Sequence, residues 1–86
     1  MKVTFHESAW EELLVIQRDR RLARRLEKLI ADIQRGGHSG IGKPEQLTGE
    51  LSGFWSRRID DHHRLVYRLT ADSIEITECY GHYGEQ

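Results

Sequence analysis

Apolar residues recur three and four apart through the first third of this 86-residue chain and alternate with polar ones through its last third, so helices are expected first and strands after. Lys2-Val3-Thr4-Phe5 is a short β-leaning opener. Ser8-Ala9-Trp10-Glu11 has the Ser-x-x-Glu form of a capping box, and Trp10, Leu13, Leu14 and Gln17 then share a helical stripe expected to be buried. A second helix is capped by Asp19, buries Leu22, Ala23, Leu26, Leu29, Ile30 and Ile33, and stops at Gly36-Gly37. Only a tight turn fits between the two. Four glycines between residues 36 and 42 make the next segment a loop. Pro44, the only proline, then biases Lys43 toward an extended backbone, so that Lys43-Pro44-Glu45 projects its charges from a fixed place.

Strands are expected at 53–59, 63–69 and 73–83, forming an antiparallel meander with turns at Asp60-Asp61-His62 and Thr70-Ala71-Asp72. The fold class is therefore α+β, two N-terminal helices on a twisted antiparallel sheet, in one domain spanning 1–86. Trp55 and Ile59 must share the buried face with Leu65, Tyr67 and Leu69, which sets the register of the first hairpin. Ile59 then lies opposite His63, Arg57 opposite Leu65, and Arg58 faces Arg64 on the helix-free side. Opposed guanidiniums repel unless an anion sits between them, and a phosphate fits that need. In the last strand Ile74 and Ile76 have one parity and Cys79 the other, so a bulge near Glu78 is expected to switch the face.

A chain this short holds one core and no cofactor barrel or doubly wound sheet. Its longest apolar run, Leu13 to Ile16, falls far below the ~20 residues a bilayer needs, and neither a membrane span nor a signal peptide is expected. Cys79 is the only cysteine, which excludes an intramolecular disulfide and suits the cytoplasm. The net charge of −1 hides an uneven distribution. Residues 1–16 carry one Lys and three Glu, residues 17–68 carry twelve Lys/Arg against seven Asp/Glu, and residues 69–86 carry four acids and no base. The arginine cluster at 18–25 reads as a solvated helix face or a surface for an acidic partner, while the arginine-rich middle keeps a polyanionic substrate in view.

Glu45, Arg58, Arg64 and His82 are the grouping with the most chemistry in it. Cutting RNA without a metal takes a base for the ribose 2′-hydroxyl, an acid for the departing 5′-oxygen and fixed positive charge on the phosphorane. A glutamate, a histidine and an arginine pair supply that set, and the need for a 2′-hydroxyl restricts it to RNA. The same residue types also make ordinary surface salt bridges, and Glu45 paired with Arg58 or Arg64 would be a poor base until substrate reorganised it.

Three phrases carry a resemblance: Gly40-Ile-Gly-Lys-Pro-Glu-Gln-Leu47, Leu51-Ser-Gly-Phe-Trp-Ser-Arg-Arg-Ile59, and His63-Arg-Leu-Val-Tyr67 with a closing His82-Tyr83. Together they resemble the YoeB/Txe toxins of the RelE superfamily. The resemblance implies a ribosome-dependent endoribonuclease that cuts mRNA in the A site of the 70S ribosome and inhibits translation, with no cofactor and no metal. It makes Glu45 the general base, Arg64 the phosphorane stabiliser with Arg58 beside it, and His82 the general acid. Lys43 would hold the RNA backbone and Tyr83 would stack on or position the substrate. Implied partners are a Phd/YefM-type antitoxin and, only through that complex, operator DNA; a homodimer is also open. An inactive relative that merely binds RNA or antitoxin is the alternative. Gln46, Thr48, His62, Gly81 and the Gly84-Glu85-Gln86 tail depart from the family pattern, and Gly81 is expected to loosen His82.

Other residues have plainer expectations. Trp10 and Trp55 belong to the core, and Phe54, on the arginine face, is a candidate nucleotide contact. His63 packs or orients, whereas His6 and His38 are exposed and silent. Cys79 and His82 have the spacing of half a zinc site but no second pair.

Overall fold

In the computed structural model, which describes residues 1–81, strand β1 (Lys2–Phe5) leads through a single residue into helix α1 (Glu7–Ile16). Helix α2 (Arg20–Gly36) follows, then β2 (Glu45–Gln46), a 3-10 turn (Gly49–Leu51), β3 (Trp55–Arg58), β4 (Arg64–Leu69) and β5 (Ser73–Glu78). The sheet order is β1-β5-β4-β3-β2. The expected meander β3-β4-β5 is antiparallel, but β1 joins β5 in parallel, so the sheet is mixed. A parallel neighbour needs a long crossover, and both helices and the rest of the sheet lie between these two strands.

Helix α2 behaves as its sequence predicts. The Asp19 carboxylate accepts from the amides of Arg21 and Leu22 at 3.0 and 3.3 Å, Leu26, Leu29 and Ile33 are buried, and Gly37 ends the helix with φ +66°. Helix α1 does not. It begins at Glu7 with His6 at the cap position and no side-chain cap bond, so Ser8 and Glu11 already lie inside the helix and form no box. Its buried residues are Ala9 and Ile16, while Trp10 is 51% and Leu14 47% exposed. The expected stripe was therefore one residue, about 100°, out of phase. Docking of β1 on β5 sets that phase, and the small Ala9 lets α1 approach closely enough for its carbonyl to meet Cys79 Sγ at 3.5 Å. Trp10 packs edge-on against Phe5 instead of entering the core, with ring centroids 6.3 Å apart.

The hairpin register is the expected one: Trp55 pairs with Tyr67, Arg57 with Leu65 and Arg58 with Arg64, and the Ile59 amide donates to the His63 carbonyl. On β5, Ile76 pairs with Tyr67 but Glu78 pairs with Val66, which leaves Thr77 as the extra residue of a bulge. That switch is why Ile74, Ile76 and Cys79 are all buried despite their mixed parity. The core lies between the helices and one sheet face, built from Ile16, Leu26, Leu29, Ile33, Leu65, Tyr67, Ile74 and Ile76.

One charged residue enters that core. Arg57 is 0% exposed, and its guanidinium bonds the Asp32 carboxylate at 2.5 Å, the Gly37, Ser39 and Ile41 carbonyls at 2.7, 3.3 and 3.0 Å, and the Tyr67 hydroxyl at 3.2 Å. Asp32 also accepts from the Ile41 amide at 3.0 Å. The glycine-rich loop is thus wrapped around a buried cation. At Gly40, φ is +141° and a Cβ would lie 1.8 Å from Asp32 Oδ2, so a side chain there would collide with the ion pair.

Candidate active site

Strand β2 is only two residues long, and it lays Glu45 opposite Ser56 and Gln46 opposite Trp55 at the edge of the sheet. Alternation along β3 and β4 puts Glu45, Ser56, Arg58 and Arg64 on the helix-free face. With Lys43 these four side chains line a groove of about 330 Å³. Ser56 is 2% exposed and forms part of its floor. Three cations and one carboxylate around a buried floor give the groove a net positive lining, the electrostatic requirement for an anionic ligand.

Backbone bonds hold the two rims together. The Arg58 amide donates to the Gly42 carbonyl at 2.6 Å, which ties the loop carrying Lys43 to β3. Lys43 itself has φ +51°, the one positive value at a non-glycine residue among the described residues, and not the extended backbone expected before proline. A left-handed residue there is costly and is retained because the flanking loop is pinned by Arg57 and Arg58. Arg64 faces Arg58 as expected, and it leans on the turn, its guanidinium donating to the Asp60 carbonyl at 3.3 Å. In that turn, burial pushes the Asp60 carboxyl up, but donation from the His62 and His63 amides at 2.8 and 2.9 Å outweighs it and leaves the carboxyl below its ordinary range.

Glu45, Lys43, Arg58 and Arg64 are therefore brought together. Phe54 is not: it does not line the groove, and Arg68, itself paired with Glu75 at 2.6 Å, stands over its ring at 5.2 Å. His82 and Tyr83 lie outside the described residues. Gly81, the residue before His82, is held from both sides: its amide donates to His63 Nδ1 at 2.8 Å and its carbonyl accepts from the Arg64 amide at 2.8 Å. Its φ of +88° suits glycine, so Gly81 itself is anchored, while its expected effect on His82 falls outside the described residues.

The histidines divide differently from expectation. His63 packs against Tyr80 and accepts from the Gly81 amide, and His6 is exposed. His38 is not silent: it is half-buried and stacks on Trp55 with centroids 4.0 Å apart and planes 9° from parallel. Burial, and then the Arg57 charge, hold its pKa below the ordinary imidazole value, and its Nδ1 is buried without a hydrogen-bond partner. Cys79 is a buried free thiol pushed up to about 12 by burial and, less, by Glu12.

A second hollow of about 340 Å³ lies between the start of α2 and the β3–β4 turn, where Arg21 and Arg25 meet Asp19 and Asp60. Its charges balance, and it offers no acid–base pair comparable with the groove. The Asp32–Arg57 pair was missed although a signal existed: the hairpin register already pointed Arg57 inward, and a buried guanidinium requires a carboxylate.

Comparison with known proteins gives a consistent result. A family model described as the YoeB-like toxin of bacterial type II toxin-antitoxin systems matches residues 5–83. The toxin YoeB of Mycobacterium bovis is 55% identical over 82 residues, covering 94% of this chain and 96% of its own. The structure of a YoeB/ParE toxin from Agrobacterium tumefaciens superposes with a TM-score of 0.93 at 38% identity, covering 96% of this chain and all of its own. YoeB from Staphylococcus aureus, solved in a heterotetrameric YoeB-YefM complex and as a dimer, superposes with TM-scores of 0.90 and 0.91 at 39% identity, covering 96% of this chain and 98% of its own.

Proposed function

From the premise that this chain belongs to the YoeB-like toxins of bacterial type II toxin-antitoxin systems, we propose that it is a ribosome-dependent mRNA endoribonuclease. The observation that carries the proposal is the meeting of Glu45 with Arg58 and Arg64 around one groove. Glu45 takes the proton of the ribose 2′-hydroxyl, the freed oxygen bonds to phosphorus, and the bond from phosphorus to the 5′-oxygen breaks as His82 gives that oxygen a proton. Arg64, with Arg58 beside it, stabilises the negative charge on the phosphorane, and the products are a 2′,3′-cyclic phosphate and a 5′-hydroxyl. The set contains its own acid, base and electrostatic stabiliser. Lys43 sits on the rim where the RNA backbone would enter, and Tyr83 positions the nucleotide.

The ribosome supplies an aligned strand in its A site, which suits a groove with so few contacts of its own. The partner is a YefM-type antitoxin, in keeping with the S. aureus complex, and contact with operator DNA comes only through it. Dimerisation is in keeping with the dimer of the same relative. The place of action is the cytoplasm, where ribosomes translate; among the described residues no helix is long and apolar enough to cross a membrane.

Mapping the 5′ ends of an mRNA on translating ribosomes tests this reading. Glu45→Ala and His82→Ala should each lower cleavage by about 10²–10⁴-fold. Arrest of translation without new 5′ ends, unchanged by either substitution, would identify a binding module instead of a nuclease.

A further inference from the structure

Two side chains outside the groove hold the chain where it leaves β5. From α1, Glu12 Oε1 accepts from the Cys79 and Tyr80 amides at 2.8 and 3.2 Å. From the β3–β4 turn, His63 Nδ1 accepts from the Gly81 amide, and its ring stacks on that of Tyr80 with centroids 4.3 Å apart. The Arg64 amide returns a bond to the Gly81 carbonyl. The bulge at Thr77 interrupts regular pairing just before this point, so these side chains satisfy amides that a continuing ladder would have satisfied.

We propose that His63, with unprotonated Nδ1 as acceptor, is a positioning residue that fixes Gly81 beside Arg64, with Glu12 as the second anchor on Cys79 and Tyr80. This rests on the reading of His82, the residue after Gly81, as the general acid. Neutral imidazole can accept through one nitrogen, whereas imidazolium presents N–H at both and would oppose the Gly81 N–H. The charged and titratable groups around the ring are Asp60, Arg64 and His62, the last at 6.4 Å between centroids, with Tyr80 stacked on it. Protonation of Nδ1 would therefore exchange a hydrogen bond for a repulsion at Gly81. A displacement of about 1 Å in a reacting group is worth up to ~10²-fold in rate.

The experiment compares His63→Leu with His63→Asn, whose amide oxygen replaces Nδ1 as acceptor and takes up no proton. Two readouts are used: cleavage of mRNA on programmed ribosomes, and the Gly81 amide followed by NMR between pH 5 and 8. His63→Leu should lower kcat by about 10–100-fold with KM changed less than about twofold, and should strip the Gly81 amide of its exchange protection. His63→Asn should restore most of both. The wild-type Gly81 amide should shift with the titration of His63, and that of His63→Asn should stay flat. The proposal is overturned if Leu and Asn variants are equally impaired, if both keep full kcat, or if the Gly81 amide ignores both substitutions. Should His63→Leu fail to fold, the contrast between wild type and His63→Asn in acid decides alone. If no form cleaves mRNA yet the Gly81 amide follows His63, the anchor stands and the nuclease reading falls.

Discussion

Replacing Arg57 by methionine removes, in one substitution, the whole guanidinium around which the loop after α2 is gathered. The guanidinium serves one carboxylate, three carbonyls and a hydroxyl, and no part of it reaches solvent. Breaking a buried pair from one side costs about 3–5 kcal/mol, because the groups left behind lose their partner and cannot all recover water. For a domain of this size that lowers Tm by at least about 12 °C, a large part of a total stability of ~5–15 kcal/mol. Urea titration followed by tryptophan fluorescence is the assay, since Trp55 stacks on His38 within the affected loop. A companion variant, Arg57→Met with Asp32→Leu, removes both charges and should regain part of the loss, which a double-mutant cycle quantifies. An Arg57→Met protein within about 1 kcal/mol of wild type would show that the buried cation does not organise this loop.

The Asp32 carboxyl is held below its usual range by donation from Arg57 and then from the Ile41 amide, and Asp60 by its turn amides, so both contribute stability above the unfolded carboxylate value near 4. That contribution should disappear as pH falls through their lowered folded values, and urea midpoints below pH 4 that do not fall would refute it. His38 has the opposite chemistry and the same direction: its lowered pKa means the unfolded chain binds a proton first, so stability should decline as pH drops below about 6.5. His38→Phe keeps a ring against Trp55 and should flatten that part of the pH profile, as measured by urea midpoints between pH 5 and 7.5. Cys79, with its thiol pushed up to about 12, should resist a thiol reagent at pH 8 in the folded protein and react in 8 M urea; fast labelling of the native form would contradict its burial.

The legible parts of this molecule were those in which one constraint acts alone. A carboxylate at Asp19 followed by a clean apolar stripe specifies α2, and the requirement that Trp55, Ile59, Leu65 and Tyr67 share a face specifies the hairpin, and with it the meeting of Arg58 and Arg64. Parity alone also located the bulge, since no single register buries Ile76 and Cys79 together. Helix α1 was illegible in phase because Trp10, Leu13 and Leu14 make as good a local stripe as Ala9, Leu13 and Ile16; docking of β1 on β5 decides between them. Lys43 is similar: proline favours an extended predecessor, and the tertiary bond from the Arg58 amide to the Gly42 carbonyl overrides that preference. His38 was misjudged because the glycines around it concealed a loop wound tightly about Arg57.

The parallel seam between the first and last strands of the sheet bears on the order in which this fold can be completed. Lys2 pairs with Ser73 and Phe5 with Ile76, so every rung of that seam joins residues 71 positions apart. During synthesis the first strand must wait, its edge unmatched, until Ser73–Glu78 have been made. A nascent chain that has not yet delivered β5 therefore lacks a finished sheet, and the architecture itself delays completion of the fold.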